Sequence, residues 1–430
     1  MEPLEVLVQA DSHDRIACPV WVQLPLTEGG LPSVRVTDES GRAVPCQLEP
    51  SGIGTEDRLW LTWIVRDLAG GQERRYRIEP ASAGADGGRQ TAGGGAAGGT
   101  TSGETSARPE AGSTPAGATD HGLGVVLAEG DGQLTIDIAG QRFTTYFFGA
   151  EVVRPYFHPL FGPTGQPVTR QFPMVKDVPG ETSDHPHHKG FYVAHGDVNG
   201  TDNWSEGPNH ATMRHAGFQR LVSGPVYGSF DATTEWMDRD GTRVVLAETR
   251  RCTFFNLGAD DRLFDVSLRF NAVSGLVTFG DTKEGGLISV RMASAMDEPH
   301  RRRPDGTGRI ENSYGGVGEK ETWGKRAMWC DYSGQVEGEP VGICLMDHPT
   351  NPRYPTHWHV RSYGLMTANP FGLHDFYSDT DAHRGDWTIP AYESRNFLYR
   401  VLVHRGGTAQ SRVRDRYHDF VNPPAIQLMP

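Results

Sequence analysis

Short runs in which apolar and polar residues alternate at every second position recur along the chain. They constrain its fold more than any other feature. Val20, Val22 and Leu24 alternate with Trp21 and Gln23, and Leu134, Ile136 and Ile138 with Thr135 and Asp137. Phe264, Val266, Leu268 and Phe270 repeat the pattern, as do Phe397, Tyr399, Val401 and Val403. A period of two marks a strand with one buried face. Leu59 to Val65 is a denser apolar run, and Asp38-Glu39-Ser40-Gly41 reads as a hairpin turn. Many short strands with Gly, Asp and Asn turns and few helical periods predict an all-β chain. Its body is a large antiparallel β-sandwich, with a small N-terminal β-sandwich appendage and a C-terminal helix. The helix rests on Val413, Tyr417, Phe420 and Val421, spaced at 3.6 residues, with Thr408 as its cap. No repeat of roughly 20–50 residues is present, which argues against a propeller.

Composition divides the chain. Eleven glycines fall between Gly84 and Gly117, among Ala, Ser and Thr. Such a stretch cannot bury enough apolar surface to offset its ordering entropy. The expected organisation is a small β-sandwich over 1–80, a flexible linker over 81–121 and a large catalytic β-sandwich over 122–430.

Composition also removes function classes. No apolar run approaches the roughly 18–20 residues of a membrane-spanning helix, and the first residues lack the form of a signal peptide. The five cysteines are scattered without Cys-x-x-Cys spacing, so they read as buried thiols in a reducing cytoplasm. A net charge of −13 argues against a nucleic-acid partner. There is no phosphate loop, dinucleotide fingerprint or Gly-x-Ser-x-Gly elbow, so no nucleotide cofactor is expected.

The histidines point to chemistry. Of 17, six lie between His185 and His215 and five between His348 and His383. The first window holds Asp184-His185-Pro186-His187-His188-Lys189-Gly190, followed by His195, Asn199 and Trp204. In an extended segment His185 and His187 would face one way and His188 the other. Neighbouring imidazoles suit general acid/base work; Asp184 can orient a ring, and Lys189 can stabilise developing negative charge. In the second window a strand would place His357, His359, Arg361 and Tyr363 on one face and Trp358 and Val360 on the other. Glu284, in Asp281-Thr282-Lys283-Glu284-Gly285, offers the second carboxylate that sugar chemistry often uses, and Arg291 follows it. Arg154 and His158, with Arg170 nearby, add cationic and aromatic groups suited to sugar hydroxyls.

These residues assign His187, His188, Glu284, Asp184 and Lys189 to catalysis. Arg154, His158, His195, Asn199, Trp204, Arg291, Arg361 and Tyr363 are assigned to substrate. A divalent metal is chemically allowed, with His185, His357 and His359 as its ligands. Cupin spacing fails, because no Glu follows His187 until Glu206.

Together, Tyr156-Phe157-His158-Pro159, Asp184 to Gly190, His195 to Gly200, Asp281 to Gly285 and His357 to Gly372 resemble the PmoA-like family of bacterial proteins. The inherited label of that family, methane oxygenase, is set aside for a chain without a membrane span. The resemblance implies a carbohydrate context and a fold similar to the galactose mutarotase supersandwich, an inference by analogy. The expected function is a carbohydrate-active enzyme cleaving a glycosidic C–O bond, by hydrolysis or by β-elimination from an oxidised, 3-keto glycoside. Its partner is then a small saccharide or glycoside. The alternatives are a sugar epimerase or mutarotase, a non-catalytic sugar-binding protein and a metal-dependent oxygenase.

Overall fold

A computed structural model of the chain describes residues 2–25, 33–50, 58–81 and 124–429, apart from Asp260, Arg302 and Asp379. All of the stretch read as a linker except Ala81 lies outside the described residues.

The chain is all-β. Two eight-stranded antiparallel sheets make the large sandwich among the described residues. The first runs, in spatial order, through Trp358–Arg361, Leu365–Ala368, Gly285–Arg291, Phe191–His195, Tyr156–Phe157, Gln141–Phe147, Gln133–Ile138 and Val125–Gly130. The second holds Met213–Val222, Tyr227–Met237, Val244–Phe255, Arg262–Asn271, Ser394–Arg405, Glu339–Asp347, Trp329–Val336 and Arg309–Asn312. The alternating residues read from the sequence meet between these sheets. Ile136, Phe143, Phe157, Phe191 and Val290 from the first pack with Phe254, Phe264, Val266, Leu268 and Val401 from the second. Burying such side chains contributes about 1.5–3 kcal/mol each.

The N-terminal strands form a smaller pair of sheets with their own core of Val6, Val20, Val36, Leu61, Trp63 and Ile78. The strand Arg15–Pro25 buries Val20, Val22 and Leu24, and leaves Trp21 39% exposed. The turn at Asp38 closes through Gly41 N–H to the Asp38 carbonyl, while the Asp38 carboxylate accepts from Ser40. The two sandwiches are joined by polar and apolar ties. Gln47 Oε1 accepts from the N–H groups of Val226 and Tyr227, and Ala17 joins an apolar cluster with Tyr227, Phe255 and Phe420.

The C-terminal helix spans Val413–Val421 and buries Val413, Tyr417 and Phe420. Thr408 does not cap it with its side chain. Its hydroxyl donates to Glu311, 2.8 Å away, and its main-chain carbonyl accepts from Val413 N–H at 3.0 Å. After the helix, the strand Ala425–Met429 runs back and pairs antiparallel with Leu4–Gln9, extending the N-terminal sheet.

Candidate functional site

Every second residue of the first large sheet points away from the sandwich core. On Phe191–His195 that residue is Tyr192; its cross-strand neighbours are Tyr156 on one side and Ser289 on the other. Ser289 pairs with Thr367 and Thr367 with His359. One step along, Arg291, Leu365 and Arg361 make a second row on the same face. Phe191, Val290, Met366 and Val360 face the other way, into the core. The two histidine-rich windows therefore contribute to one sheet face.

The first window lies over this face as a turn rather than a strand. His185 takes a left-handed conformation (φ 42°), and His188 N–H donates to the His185 carbonyl at 3.0 Å. The alternation expected for an extended segment is lost, and all three rings gather. His185 stacks on Tyr363 (centroids 5.0 Å apart) and on His188 (4.9 Å), and His188 stacks in turn on Tyr192 at 6.5 Å. The His187 ring meets His188 and Trp204 edge-on. Guanidinium groups cover both ends of the column, Arg291 at 4.8 Å over Tyr363 and Arg154 at 4.9 Å over Tyr192.

Buried arginines fix the loop. Arg170 and Arg291 donate to Asp184 Oδ1 at 2.6 and 2.9 Å, and Arg170 also donates to the His185 carbonyl. The other carboxylate oxygen, Oδ2, lies 3.0 Å from His185 Nδ1. Burial works against ionisation of Asp184, but the His185 contact and the guanidinium charges of Arg291 and Arg170 hold its carboxyl well below the usual range. Arg291 Nη1 lies 3.1 Å from His188 Nδ1. A guanidinium only donates, so that nitrogen accepts and His188 carries its proton on Nε2. Arg154 donates to the His187 carbonyl, and Lys189 pairs with Glu206 at 2.7 Å.

The other residues picked from the sequence are placed as follows. Trp204 is buried against His187, His188 and Tyr192. Arg361 lies on the outward face and pairs with Glu319, while Tyr363 sits in the turn after the strand and touches His185. His357 and His359 lie along the same face but are roofed: the Trp323 indole donates to His359 Nδ1, and His357 Nε2 meets the Tyr377 hydroxyl at 2.9 Å. Glu284 is half-exposed on the neighbouring turn and paired with Lys283 at 2.9 Å. His195 faces the core between Phe279 and Phe371, with Nε2 2.9 Å from the Gly280 carbonyl. Asn199 is spent on a turn, bonding Leu276 O and Thr278 N–H. His158 is buried beyond the Tyr156–Phe157 strand. Among the described residues no three His, Cys, Asp or Glu side chains group so as to hold a metal ion, so His185, His357 and His359 form no such set.

Tyr192, Trp323 and Glu206 join this site although none is among the site residues assigned from the sequence. Tyr192 was legible as the one polar-tipped side chain in Phe191-Tyr192-Val193-Ala194; Glu206 and Trp323 carried no local signal.

Burial keeps several histidines uncharged. It is the first cause that lowers His158, His187, His195 and His357 from about 6.5 to about 4, and His359 to about 3. Nearby guanidinium charge adds to the effect at His187 and His357. An unfolded chain takes up these protons near pH 6.5, whereas the folded chain resists until about pH 4. Their contribution to stability is therefore full above about pH 6.5 and lost as pH falls toward 4. The urea midpoint is expected to fall continuously across that window; a midpoint flat from about pH 7 to pH 5 would contradict these burials.

No curated protein matches the sequence. Among solved structures, an α-galactosidase from Lactobacillus brevis aligns over 70% of this chain at 10% identity and a TM-score of 0.33. The chain spans 42% of that enzyme's length. A galactose mutarotase related enzyme from Lactobacillus acidophilus aligns over 65% of this chain and 97% of its own (10% identity, TM-score 0.26). A GalM/aldose epimerase homologue from C. elegans aligns over 66% and 100% (8% identity, TM-score 0.28). These scores are too low for the alignments to place any residue of the site. A family match covers residues 133–418, which hold the whole histidine cluster: the chain belongs to DUF6807, a family of unknown function.

Proposed function

We propose that the chain is a carbohydrate-active enzyme that breaks a glycosidic C–O bond by β-elimination from a sugar already oxidised near that bond. The observation that carries this reading is the Asp184–His185 pair. A carboxylate held by two buried arginines lies 3.0 Å from one nitrogen of an imidazole, and the other ring nitrogen is left to accept a proton. His185 takes the proton from the carbon beside the sugar carbonyl. The C–H electron pair moves onto the carbonyl oxygen, giving an enolate. Its return forms the carbon–carbon double bond and expels the glycosidic oxygen, which leaves as an alcohol after gaining a proton.

Hydrolysis fits this cluster less well. Two-carboxylate hydrolysis requires one carboxyl kept protonated and within reach of the sugar, whereas Asp184 is held ionised, Glu206 is paired with Lys189, Glu284 is paired with Lys283 on the neighbouring turn, and Asp297, which burial raises to about 6, is fully buried. One observation favours a second reading. The His185 and His187 rings lie 5.9 Å apart, so one can remove a proton and the other return it, which is epimerisation.

An aryl 3-keto glycoside incubated with the protein in deuterated buffer tests both readings. Elimination releases the phenol, and epimerisation retains it while exchanging the C–H for deuterium. Neither release nor exchange would exclude both.

A further inference from the structure

Arg154 is 1% exposed, yet its Nε and Nη1 have no hydrogen-bond partner among the described residues. The Tyr192 hydroxyl and the Trp204 indole N–H, both buried, are likewise unbonded. These groups lie together: the Arg154 guanidinium sits over Tyr192, the Tyr192 and Trp204 rings are 5.4 Å apart, and Arg154 bonds the His187 carbonyl. Buried donors are almost always satisfied in a native protein, so such a concentration marks a place built for an acceptor.

One acceptor already approaches. Glu206 Oε2 pairs with Lys189 at 2.7 Å, but its Oε1 stops 3.7 Å from Arg154 and has no hydrogen bond. Glu206 is carried on a loop whose other nearby carboxylate, Asp202, is spent on Trp204 N–H and Ser205 N–H. The ion pair to Arg154 is thus incomplete, and a better-placed carboxylate can replace it with bidentate geometry.

We propose that Arg154, Lys189, Tyr192 and Trp204 form a carboxylate subsite, that Glu206 occupies it in the free protein as an internal stand-in, and that the natural substrate is a sugar acid. This deepens the proposed elimination and rests on that reading for the chemistry, though not for the binding. A carboxylate bound here anchors the sugar by one end, while the proton removed is still the one on the carbon beside the ketone. Its binding lifts Glu206 and its loop away from the cluster, which opens the Arg154 side.

Calorimetric titration with D-glucuronate and D-galacturonate, against D-glucose and D-galactose, tests the subsite. The acids are expected to bind at least roughly tenfold more tightly than the neutral sugars. Glu206→Gln keeps the shape of the loop and removes the competing charge, so it should raise affinity for the acids about tenfold and leave the neutral sugars unchanged. Lys189→Met should erase the preference; it spares the buried Arg154, whose loss endangers folding. Equal binding of acids and neutral sugars, no binding of the acids, or unchanged or weaker acid binding in Glu206→Gln overturns the proposal. The readouts stay separate. Turnover of a neutral 3-keto glycoside without acid preference rejects the subsite alone, and acid preference without elimination or exchange rejects the chemistry alone.

Discussion

Replacing His185 with Ala is expected to lower kcat/KM for elimination by about 10²–10⁴, the usual contribution of a positioned general base. The ring is part-exposed, so the variant should fold, with circular dichroism and the urea midpoint close to those of the parent. Asp184→Asn should lose nearly as much by another route. An amide cannot neutralise Arg170 and Arg291, and it removes the negative charge that lies 3.0 Å from the His185 ring. His187→Ala separates the two reactions: elimination should persist in part, while epimerisation, which needs both rings, should vanish. Activity of His185→Ala within a few-fold of the parent would remove His185 as the base.

The largest effect on stability is expected far from the site. Glu248 and Arg250, both fully buried, face each other on the Val244–Phe255 strand; Arg250 Nε donates to Glu248 Oε1 at 2.6 Å and the Trp236 indole to Oε2 at 2.8 Å. Glu248→Ala strands a guanidinium in the sandwich core, at a cost of about 3–5 kcal/mol. The paired replacement Glu248→Leu with Arg250→Met removes both charges and should recover most of that loss, leaving mainly the unmet Trp236 N–H, about 1–3 kcal/mol. Urea unfolding of the single and double variants measures the difference. A single variant as stable as the double would show that the core around Arg250 admits water.

The architecture was readable because its signal is local. Phe264, Val266, Leu268 and Phe270 alternate in sequence and are all buried on one face of one strand. The candidate site was readable in membership and misleading in arrangement. Period-two reasoning assigned His185 and His188 to opposite faces, but one left-handed residue turned the segment and stacked them. Choosing His185 as a metal ligand had the same origin, since its partner is the adjacent Asp184 through a contact made possible by that turn. His195 was misplaced by its neighbourhood in sequence: it follows the cluster by seven residues, but strand alternation sends it into the core. The roles of Glu206 and Trp323 depend on loops meeting across the fold, and no spacing rule encodes such meetings.

The return of Ala425–Met429 to Leu4–Gln9 bears on how the protein is made. During synthesis the first strand leaves the ribosome about four hundred residues before the strand that covers its edge. For that whole interval the N-terminal sheet presents an unpaired row of N–H and C=O groups, a template for pairing with another chain. Only the making of Ala425–Met429 closes it, so a chain released before that strand is left with an open edge even where the large sandwich is already in place.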